Sequence, residues 1–383
     1  MFDEFIKFVR QLYQTDDLIP LHAPKFLGNE KKYLLETIDS TFVSSVGQNV
    51  EDFEQKIACT TTANYAISTV NGTAALHVAL IVTGVSHGEE VITQALTFVA
   101  TCNAIRYCGA DPVFVDVDRK TFGMSPEALT NYLEEHAEIK NGNAWNKTTG
   151  RRISACIPMH TFGHPVKIDK IIEICNQYHI PVIEDAAESL GSTWNVKHTG
   201  TFGMMGVLSF NGNKIITTGG GGMILTDSES LAYTAKHLTT TARLAHNWNY
   251  EHDEIGYNYR MPNLNAALGL AQLEQLSGFV DNKRTLAKHY RDWCSENNVQ
   301  FVTEPEGARS NYWLNALIMN DVEERDSFLK VTNKNGIMTR PAWKPMHKLK
   351  MYKDCHHGLL QNTEWISERV VNIPSSVCDN LTK

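Results

Sequence analysis

Short apolar runs alternate with segments of helical periodicity between residues 65 and 185. The runs have the length of strands, and the predicted strands are 65–70, 90–93, 112–117, 153–159 and 180–185. The segments between them carry apolar residues at helical spacing, and the predicted helices are 71–80, 97–105, 126–136 and 169–178. This alternation predicts a mostly parallel sheet with helices on both faces. In such sheets, ligands bind beyond the carboxyl ends of the strands.

The pattern changes towards the C-terminus. The elements predicted there are helices at 263–276 and 281–297, a strand at 312–319 and a helix at 322–335. They predict a smaller α/β domain, so we divide the chain into an N-terminal segment with a large domain, 1–255, and a C-terminal domain, 256–383.

Two further segments have patterns of their own. Residues 1–16 carry apolar side chains at helical spacing and predict a short amphipathic helix. Residues 138–152 are polar and rich in glycine and asparagine, so they predict an exposed insertion.

The composition excludes several classes of partner. The net charge is -8 over 383 residues and no dense run of Lys or Arg occurs, which argues against nucleic acid and anionic membranes. No apolar run reaches membrane-spanning length, and the first residues lack the apolar core of a signal peptide. The eight cysteines include no C-x-x-C pair, so we expect free thiols in the cytoplasm and no metal site.

A candidate anion site follows the first predicted strand. The sequence Asn71-Gly72-Thr73-Ala74 links that strand to a helix rich in alanine and leucine. The free N–H groups and the dipole at a helix N-terminus attract anions, and a threonine hydroxyl can add a hydrogen bond. The alternative is an ordinary helix capped by asparagine or threonine. Neither the G-x-x-x-x-G-K-[ST] loop nor the G-x-G-x-x-G fingerprint is present.

A lysine in a polar turn is the second candidate. Lys214 follows the short apolar strand 207–210 and precedes a run of four glycines, Gly219 to Gly222. Burial favours the neutral form of an amine, and a neutral amine is the form that attacks a carbonyl. The alternative is a solvated loop lysine, which is the usual case.

Together with the acidic strand end at Asp185, these candidates match pyridoxal phosphate. That cofactor requires N–H donors for its phosphate, a carboxylate at its ring nitrogen and an amine for its aldehyde. Ser209 offers a further phosphate contact, and Phe98 could stack on the ring. Each has an alternative: a phenylalanine such as Phe98 is more often a core residue, a serine such as Ser209 is more often a satisfied strand hydroxyl, and Asp185 alone could cap a helix. Metal binding by Glu184, Asp185 and Glu188 is a weaker alternative.

The sequence also resembles a known family, the pyridoxal-phosphate-dependent nucleotide-sugar aminotransferases of the DegT/DnrJ/EryC1/StrS group. The resemblance extends from Ile19 to Pro374. Within the family, the sequence most resembles the branch that makes 4-amino-4,6-dideoxy sugars. The motifs that carry it are NGTAALH (71–77), LTFVAT (96–101), VIEDAAESLGS (182–192), SFNGNKIITTGGGGM (209–223), GYNYRMPNLNAALGLAQL (256–273) and RPAWKPMH (340–347). It implies an α/β fold of the fold type I class, like that of aspartate aminotransferase.

The resemblance also implies roles for individual residues. Lys214 is expected to bind the cofactor and then move a proton, and Asp185 is expected to pair with the ring nitrogen. The expected cofactor contacts are Gly72, Thr73, Ala74, Phe98, Glu188 and Ser209. Asn258 is expected to reach the phosphate in the neighbouring subunit, which implies a homodimer with shared active sites. Arg340, Trp343 and His347 are expected to line the nucleotide-sugar site.

The resulting functional hypothesis is an aminotransferase that uses pyridoxal phosphate. We expect it to move an amino group from L-glutamate to C4 of a UDP-linked 4-keto-6-deoxyhexose, N-acetylated at C2, for bacterial surface glycans. One alternative is a non-catalytic protein that binds the cofactor or a nucleotide sugar. The other is a nicotinamide-dependent sugar oxidoreductase, for which the glycine fingerprint is missing.

Overall fold

The computed structural model describes residues 2–381. The α-helices are α1 (Phe2–Tyr13), α2 (Glu30–Asp39), α3 (Gln48–Thr61), α4 (Gly72–Val82), α5 (Val99–Tyr107), α6 (Pro126–His136), α7 (Ile168–Gln177), α8 (Glu229–Thr239), α9 (Asn263–Leu273), α10 (Leu276–Glu296), α11 (Val322–Lys334) and α12 (Gln361–Arg369). The strands are β1 (Tyr65–Thr69), β2 (Glu90–Gln94), β3 (Asp111–Val115), β4 (Ala137–Lys140), β5 (Asn143–Asn146), β6 (Arg152–Ile157), β7 (Ile183–Asp185), β8 (Thr193–Trp194), β9 (Lys197–His198), β10 (Met205–Ser209), β11 (Gly222–Thr226), β12 (Gln300–Phe301), β13 (Ala308–Arg309), β14 (Asn315–Ile318), β15 (Arg340–Pro341) and β16 (Val370–Ile373). No helix in the described range is long and apolar enough to cross a bilayer.

The central sheet has the strand order β1-β11-β10-β7-β6-β2-β3. Two isolated bridges, Cys156–Val182 and Met159–Asp185, join β6 to β7. Strand β11 is antiparallel to both of its neighbours, and the other pairs are parallel. The predicted mostly parallel sheet is therefore confirmed.

Successive residues of a central strand pack on opposite faces of this sheet, as the two-residue period of a strand requires. Val207 of β10 lies in an apolar cluster with residues of α4, α5 and α8. Leu208, the next residue, lies in a cluster with residues of α3 and α9. Helices therefore cover both faces, and the carboxyl ends of the parallel strands are left as the edge where side chains of several strands can meet.

The segment 138–152, predicted as an exposed insertion, is exposed over most of its length, but it has a regular structure that the prediction lacked. Strands β4 and β5 form an antiparallel hairpin there, and β5 continues onto β6 through the pair Ala144–Ile153. The turn residues Asn141 and Gly142 both have positive φ, 52° and 76°. An Asn-Gly pair is the preferred two-residue turn of a hairpin, so the signal was present in the sequence. Ala144 is buried against the central sheet, which is what fixes the hairpin.

A second sheet, with the order β12-β14-β16-β15, is antiparallel throughout. Strand β14 begins at Asn315 and not at 312 as predicted. The chain turns before it, because Tyr312 has a φ of 48°, a left-handed conformation that is unfavourable for a bulky residue.

Helix α1 confirms the predicted amphipathic helix. Its buried side chains Phe5 and Val9 share an apolar cluster with Tyr290 of α10, Leu317 of β14 and Ile373 of β16. The helix therefore packs with the C-terminal sheet. The domain division at residues 255 and 256 stays a prediction.

Candidate active site

The first turn of α4 is the candidate cradle for an anion. Asn71 caps the helix, because its Oδ1 accepts a hydrogen bond from the N–H of Ala74 at 2.8 Å. The N–H groups of Gly72 and Thr73 lie in the same turn, where a helix offers no acceptor of its own. The cap and the anion site, posed above as alternatives, are therefore compatible.

Two glycines allow three strand ends to approach this cradle. A Cβ atom on Gly72 would lie only 3.0 Å from Cβ of Ser209 at the end of β10. A Cβ atom on Gly222 would lie 2.5 Å from the carbonyl carbon of Asn71. Gly222 pairs with Thr69 on one side and with Ser209 on the other. The last glycine of the run after Lys214 therefore brings the Ser209 hydroxyl close to the start of α4.

Asp185 ends β7 and is buried beside β10, where it pairs with Val207. Its Oδ2 accepts a hydrogen bond from the Thr101 hydroxyl at 2.7 Å, and its Oδ1 accepts one from the N–H of Ala187 at 3.2 Å. Burial raises the pKa of Asp185, and these two hydrogen bonds act against that rise. Both bonds come from neutral donors, so a protonated ring nitrogen would be a suitable partner for this buried carboxylate.

Lys214 lies in the turn that follows β10, and its backbone N–H donates to the carbonyl of Asn211 at 2.9 Å. Its side chain is only 11% exposed, so the solvated alternative is wrong. Nζ lies 3.3 Å from Oε1 of Glu188 and 4.0 Å from the ring centroid of Trp313. The amine is therefore enclosed by a carboxylate and an aromatic face.

Glu188 is the carboxylate nearest to the lysine. Its Oε2 accepts a hydrogen bond from the N–H of Phe162 at 2.9 Å. Burial raises the pKa of Glu188 to about 7, although the positive charge of Lys214 acts in the opposite direction. Asp185 adds to the rise through its like charge, so Asp185, Glu188 and Lys214 form one electrostatic group.

An aromatic group borders this site. Phe98 directly precedes α5 and is half exposed, so it is not the core residue of the alternative interpretation. Its ring centroid lies 6.3 Å from that of Trp343, which in turn lies 5.0 Å from that of Phe162. The N–H of Phe162 donates a hydrogen bond to Glu188, which lies next to Lys214. The predicted residues Phe98 and Trp343 are therefore linked to the lysine by a series of contacts through Phe162 and Glu188.

Three predicted residues have their described contacts elsewhere. The Arg340 guanidinium donates to Oδ1 of Asn333 at 3.0 Å and to the carbonyl of Thr339 at 2.8 Å. The ring of His347 lies 3.7 Å from a carboxylate oxygen of Glu364. Asn258 is exposed, on a segment that forms a bridge with Thr240. The roles assigned to Arg340, His347 and Asn258 stay predictions.

Sequence reasoning missed four residues of the site: Thr101, Trp313, His22 and Lys283. Thr101 lies in the first turn of α5, three residues after Phe98, and this short distance in sequence from a predicted site residue was the available signal. Both ring nitrogens of His22 are buried and have no partner among the described residues. Burial lowers the pKa of His22 well below its usual value, as do the charges of Lys283 and Lys214. No local sequence pattern predicted that His22, Lys283 or Trp313 would lie near the site.

The described residues also include one small group of possible metal ligands, away from these contacts. Ligand atoms of His237, Asp253 and Glu254 lie within 4.8 Å of one another. In this group Nε2 of His237 lies 2.7 Å from Oδ1 of Asp253, and both carboxylates are exposed.

Comparisons with known proteins agree with this geometry. A model described as the DegT/DnrJ/EryC1/StrS aminotransferase family matches residues 25–381. The chain is similar to a GDP-perosamine synthase of Escherichia coli O157:H7, with 38% identity over 359 residues and 93% of each chain covered. It is 40% identical over 333 residues to EpsN of Bacillus subtilis, which is provisionally named a pyridoxal phosphate-dependent aminotransferase, and this match covers 86% of our chain and 82% of EpsN.

A solved structure has the same fold as this chain. The crystal structure of the aminotransferase TlmJ from Streptoalloteichus hindustanus matches with a TM-score of 0.84 and 26% identity, over 94% of our chain and 93% of TlmJ. The predicted fold class and the predicted cofactor, pyridoxal phosphate, are confirmed, and the oxidoreductase alternative is not supported. The chain therefore belongs to the DegT/DnrJ/EryC1/StrS aminotransferase family.

Proposed function

We propose that this protein transfers an amino group from L-glutamate to C4 of a UDP-linked 4-keto-6-deoxyhexose that is N-acetylated at C2. The product would be a 4-amino-4,6-dideoxy sugar for bacterial surface glycans, made in the cytoplasm. The observation that carries the amino transfer is the enclosed amine of Lys214, 3.3 Å from the buried carboxylate of Glu188 and in one electrostatic group with Asp185. The choice of a UDP-linked sugar rests on the sequence resemblance to the branch that makes 4-amino-4,6-dideoxy sugars. Family membership supports the amino transfer itself.

The described residues suit each part of pyridoxal phosphate. The N–H groups of Gly72 and Thr73 and the hydroxyl of Ser209 would hold the phosphate. Asp185 would hold the ring nitrogen, and Phe98 would cover the ring. When bound, the cofactor supplies an aldehyde for an amine and a ring that accepts an electron pair.

The chain itself supplies the acid–base chemistry. We infer that Nζ of Lys214 takes a proton from the reacting carbon of the amino donor and returns a proton to the reacting carbon of the sugar. Glu188, at 3.3 Å, would hold a proton beside that amine, since burial raises its pKa to about 7. Asp185 would remain charged opposite the protonated ring nitrogen, because an opposite charge favours the ionised carboxylate.

A homodimer with shared active sites is part of the proposal. Four large apolar side chains around α2 are each more than half exposed, namely Leu35, Ile38, Phe42 and Val46. Large exposed apolar surfaces typically mark interfaces, and a second copy of the chain would cover this one. Asn258 has an exposed side chain and would reach the phosphate in the neighbouring subunit.

A second candidate substrate is a GDP-linked 4-keto-6-deoxy sugar. The observation in its favour is the similarity to GDP-perosamine synthases from Escherichia coli O157:H7 and from Vibrio cholerae. The Vibrio cholerae enzyme is 35% identical to this chain over 373 residues. Such enzymes aminate GDP-linked sugars at position 4, so both candidates share the reaction and differ in the nucleotide.

The test compares the two sugars directly. Purified enzyme with pyridoxal phosphate and L-glutamate is given the UDP-linked N-acetylated sugar and the GDP-linked sugar separately, and the products are identified by mass spectrometry and NMR. We expect the larger kcat/KM for the UDP-linked sugar and an amine at C4. A larger kcat/KM for the GDP-linked sugar would replace the first candidate with the second. If the enzyme converted neither of the two sugars and formed no 2-oxoglutarate from L-glutamate, the amino transfer proposed for this site would be wrong.

A further inference from the structure

Trp313 is fixed at three points. Its backbone N–H donates to Oδ1 of Asn311 at 2.8 Å, and its carbonyl accepts a hydrogen bond from Nζ of Lys283 at 3.1 Å. Its indole Nε1–H donates to the carbonyl of Asn213 at 2.6 Å. The residue is 4% exposed, and Tyr312 before it has the left-handed φ of 48°. Two of these bonds hold the backbone of Trp313, and rotation of the indole would break the third, the bond to the carbonyl of Asn213.

The third of these bonds ties the ring to the turn that carries the lysine. Asn213 directly precedes Lys214, and Nζ of Lys214 lies 4.0 Å from the ring centroid of Trp313. An ammonium group is attracted to the face of an indole, and the ring also excludes water from that side. With Oε1 of Glu188 at 3.3 Å, the amine has one carboxylate neighbour and one aromatic neighbour.

Lys283 holds the backbone of Trp313 in place. It is fully buried in α10, and its Nζ donates to the carbonyls of Trp313 and Ser375. Burial lowers the pKa of Lys283 well below its usual value. A buried amine is unfavourable unless its hydrogen bonds are made, so the two carbonyls and Lys283 constrain one another. The segment that holds Trp313 is thereby attached to α10.

We propose that Trp313 is a positioning residue for Lys214, whose indole holds the amine on the side of Glu188 and shields it from water. The inference rests on the proposed role of Lys214 in amino transfer. A lysine side chain has many rotamers, and restricting it to the orientation that reacts contributes to the rate.

Two substitutions separate the functions of the indole. Trp313→Phe keeps an aromatic face but loses the bond to the carbonyl of Asn213, and Trp313→Leu loses both. Trp194→Leu is the matched control, because Trp194 is also buried and its Nε1–H donates to Oδ1 of Asp169 at 3.0 Å. The control therefore removes a comparable tryptophan that has no described contact with Lys214.

The first measurement uses the full-length protein without cofactor. The rate of reductive methylation of Lys214 is followed by peptide mass spectrometry, together with the melting temperature. We expect Trp313→Leu to be methylated about tenfold faster than the unmodified sequence, and Trp313→Phe by a smaller factor, because the ring face shields the amine. We expect Trp194→Leu to lower the melting temperature without changing the methylation rate.

The second measurement uses the enzyme loaded with pyridoxal phosphate. We expect kcat to fall about a hundredfold in Trp313→Leu with little change in KM, since a displaced amine affects the reaction more than substrate binding. Trp313→Phe should recover most of that loss. If Trp313→Leu does not fold, Trp313→Phe decides by its methylation rate, which should exceed that of the unmodified sequence because the bond to the carbonyl of Asn213 is lost.

Unchanged methylation and kcat in the Trp313 variants would overturn the inference, and so would equal changes in Trp194→Leu. Lys214→Ala distinguishes this failure from that of the proposed function. If Lys214→Ala kept its turnover, the proposed function itself would fail. If Lys214→Ala were inactive and the Trp313 variants were normal, only the positioning inference would fail.

Discussion

Nζ of Lys214 lies 3.3 Å from Oε1 of Glu188, whose side chain is 1% exposed. The second oxygen of Glu188 is held by the N–H of Phe162, so the carboxyl group cannot rotate away freely. Burial raises the pKa of Glu188 to about 7, against the effect of the Lys214 charge. The group next to the lysine therefore changes its own charge close to neutral pH.

Replacing Glu188 should alter how stability depends on pH. The pKa of Glu188 is raised from 4.5 to about 7 in the folded protein, so the folded state binds the extra proton between these values. Its contribution is fully present below about pH 4.5 and is lost as pH rises through about 7, on the order of 3 kcal/mol in all. Glu188→Gln removes this contribution. Urea unfolding of the cofactor-free protein from pH 5 to 8 should show the unmodified chain losing stability relative to the variant. A constant difference would contradict the prediction.

Lys214→Ala should lower turnover by about a thousandfold or more, because the amine that moves the proton is removed. The yellow absorbance of the lysine-bound cofactor should also disappear. In the unmodified protein, borohydride should attach the cofactor to Lys214, as peptide mass spectrometry would show. Lys236→Ala is the control, since that lysine pairs with Glu54 at 2.6 Å and is 44% exposed. Turnover close to normal in Lys214→Ala would remove the lysine from the mechanism.

Asp185→Asn should reduce kcat on the order of a hundredfold, because a neutral amide does not keep the ring nitrogen protonated. Thr101→Val removes the hydrogen bond to Oδ2 of Asp185 and should cost about tenfold. Steady-state kinetics with L-glutamate measure both. The order of the two losses is the informative result, and a larger loss in Thr101→Val would contradict the assigned role of Asp185.

Gly72→Ala should weaken cofactor binding about tenfold, because the new Cβ lies 3.0 Å from Cβ of Ser209 and displaces the hydroxyl that would bind the phosphate. Gly278→Ala is the matched control, since nothing lies within 4 Å of its added Cβ in α10. That change should leave binding unaltered and stabilise the helix slightly. Titration with pyridoxal phosphate, followed by absorbance, gives both affinities. Equal affinities would exclude the cradle at Gly72 as the phosphate site.

Mixing two inactive variants tests the shared active site. If Lys214 and Asn258 of one site come from different subunits, a hybrid of Lys214→Ala and Asn258→Ala chains has one intact site. Random reassociation of equal amounts should restore about one quarter of normal activity. Each variant dissociated and reassociated alone is the control. Failure of the mixture to exceed the separate variants, with hybrids verified by mass spectrometry, would contradict the sharing.

The parts of the site that could be predicted are those with a local signal. Asn71 to Ala74, Asp185 and Lys214 each lie just past an apolar strand, and parallel strands bring such ends to one edge. The hairpin at Asn141 also had a local signal, its Asn-Gly turn, which the polarity of the segment obscured.

The parts that could not be predicted depend on contacts between distant segments. Trp313 is a hundred residues from Asn213, whose carbonyl it bonds. Its position depends on the left-handed turn at Tyr312 and on a buried lysine in α10, neither of which follows from hydrophobic periodicity. The roles of Arg340 and His347 depend on a nucleotide sugar and stay predictions.

The packing of α1 has a consequence for how the chain matures on the ribosome. Phe5 and Val9 contact residues of α10, β14 and β16, so α1 leaves the exit tunnel long before Ile373 is made. Until then its apolar face has no native partner, and contacts so distant in sequence form slowly. We expect chains that stop before β16 to leave that apolar face accessible to chaperones, whereas chains that include β16 bury it.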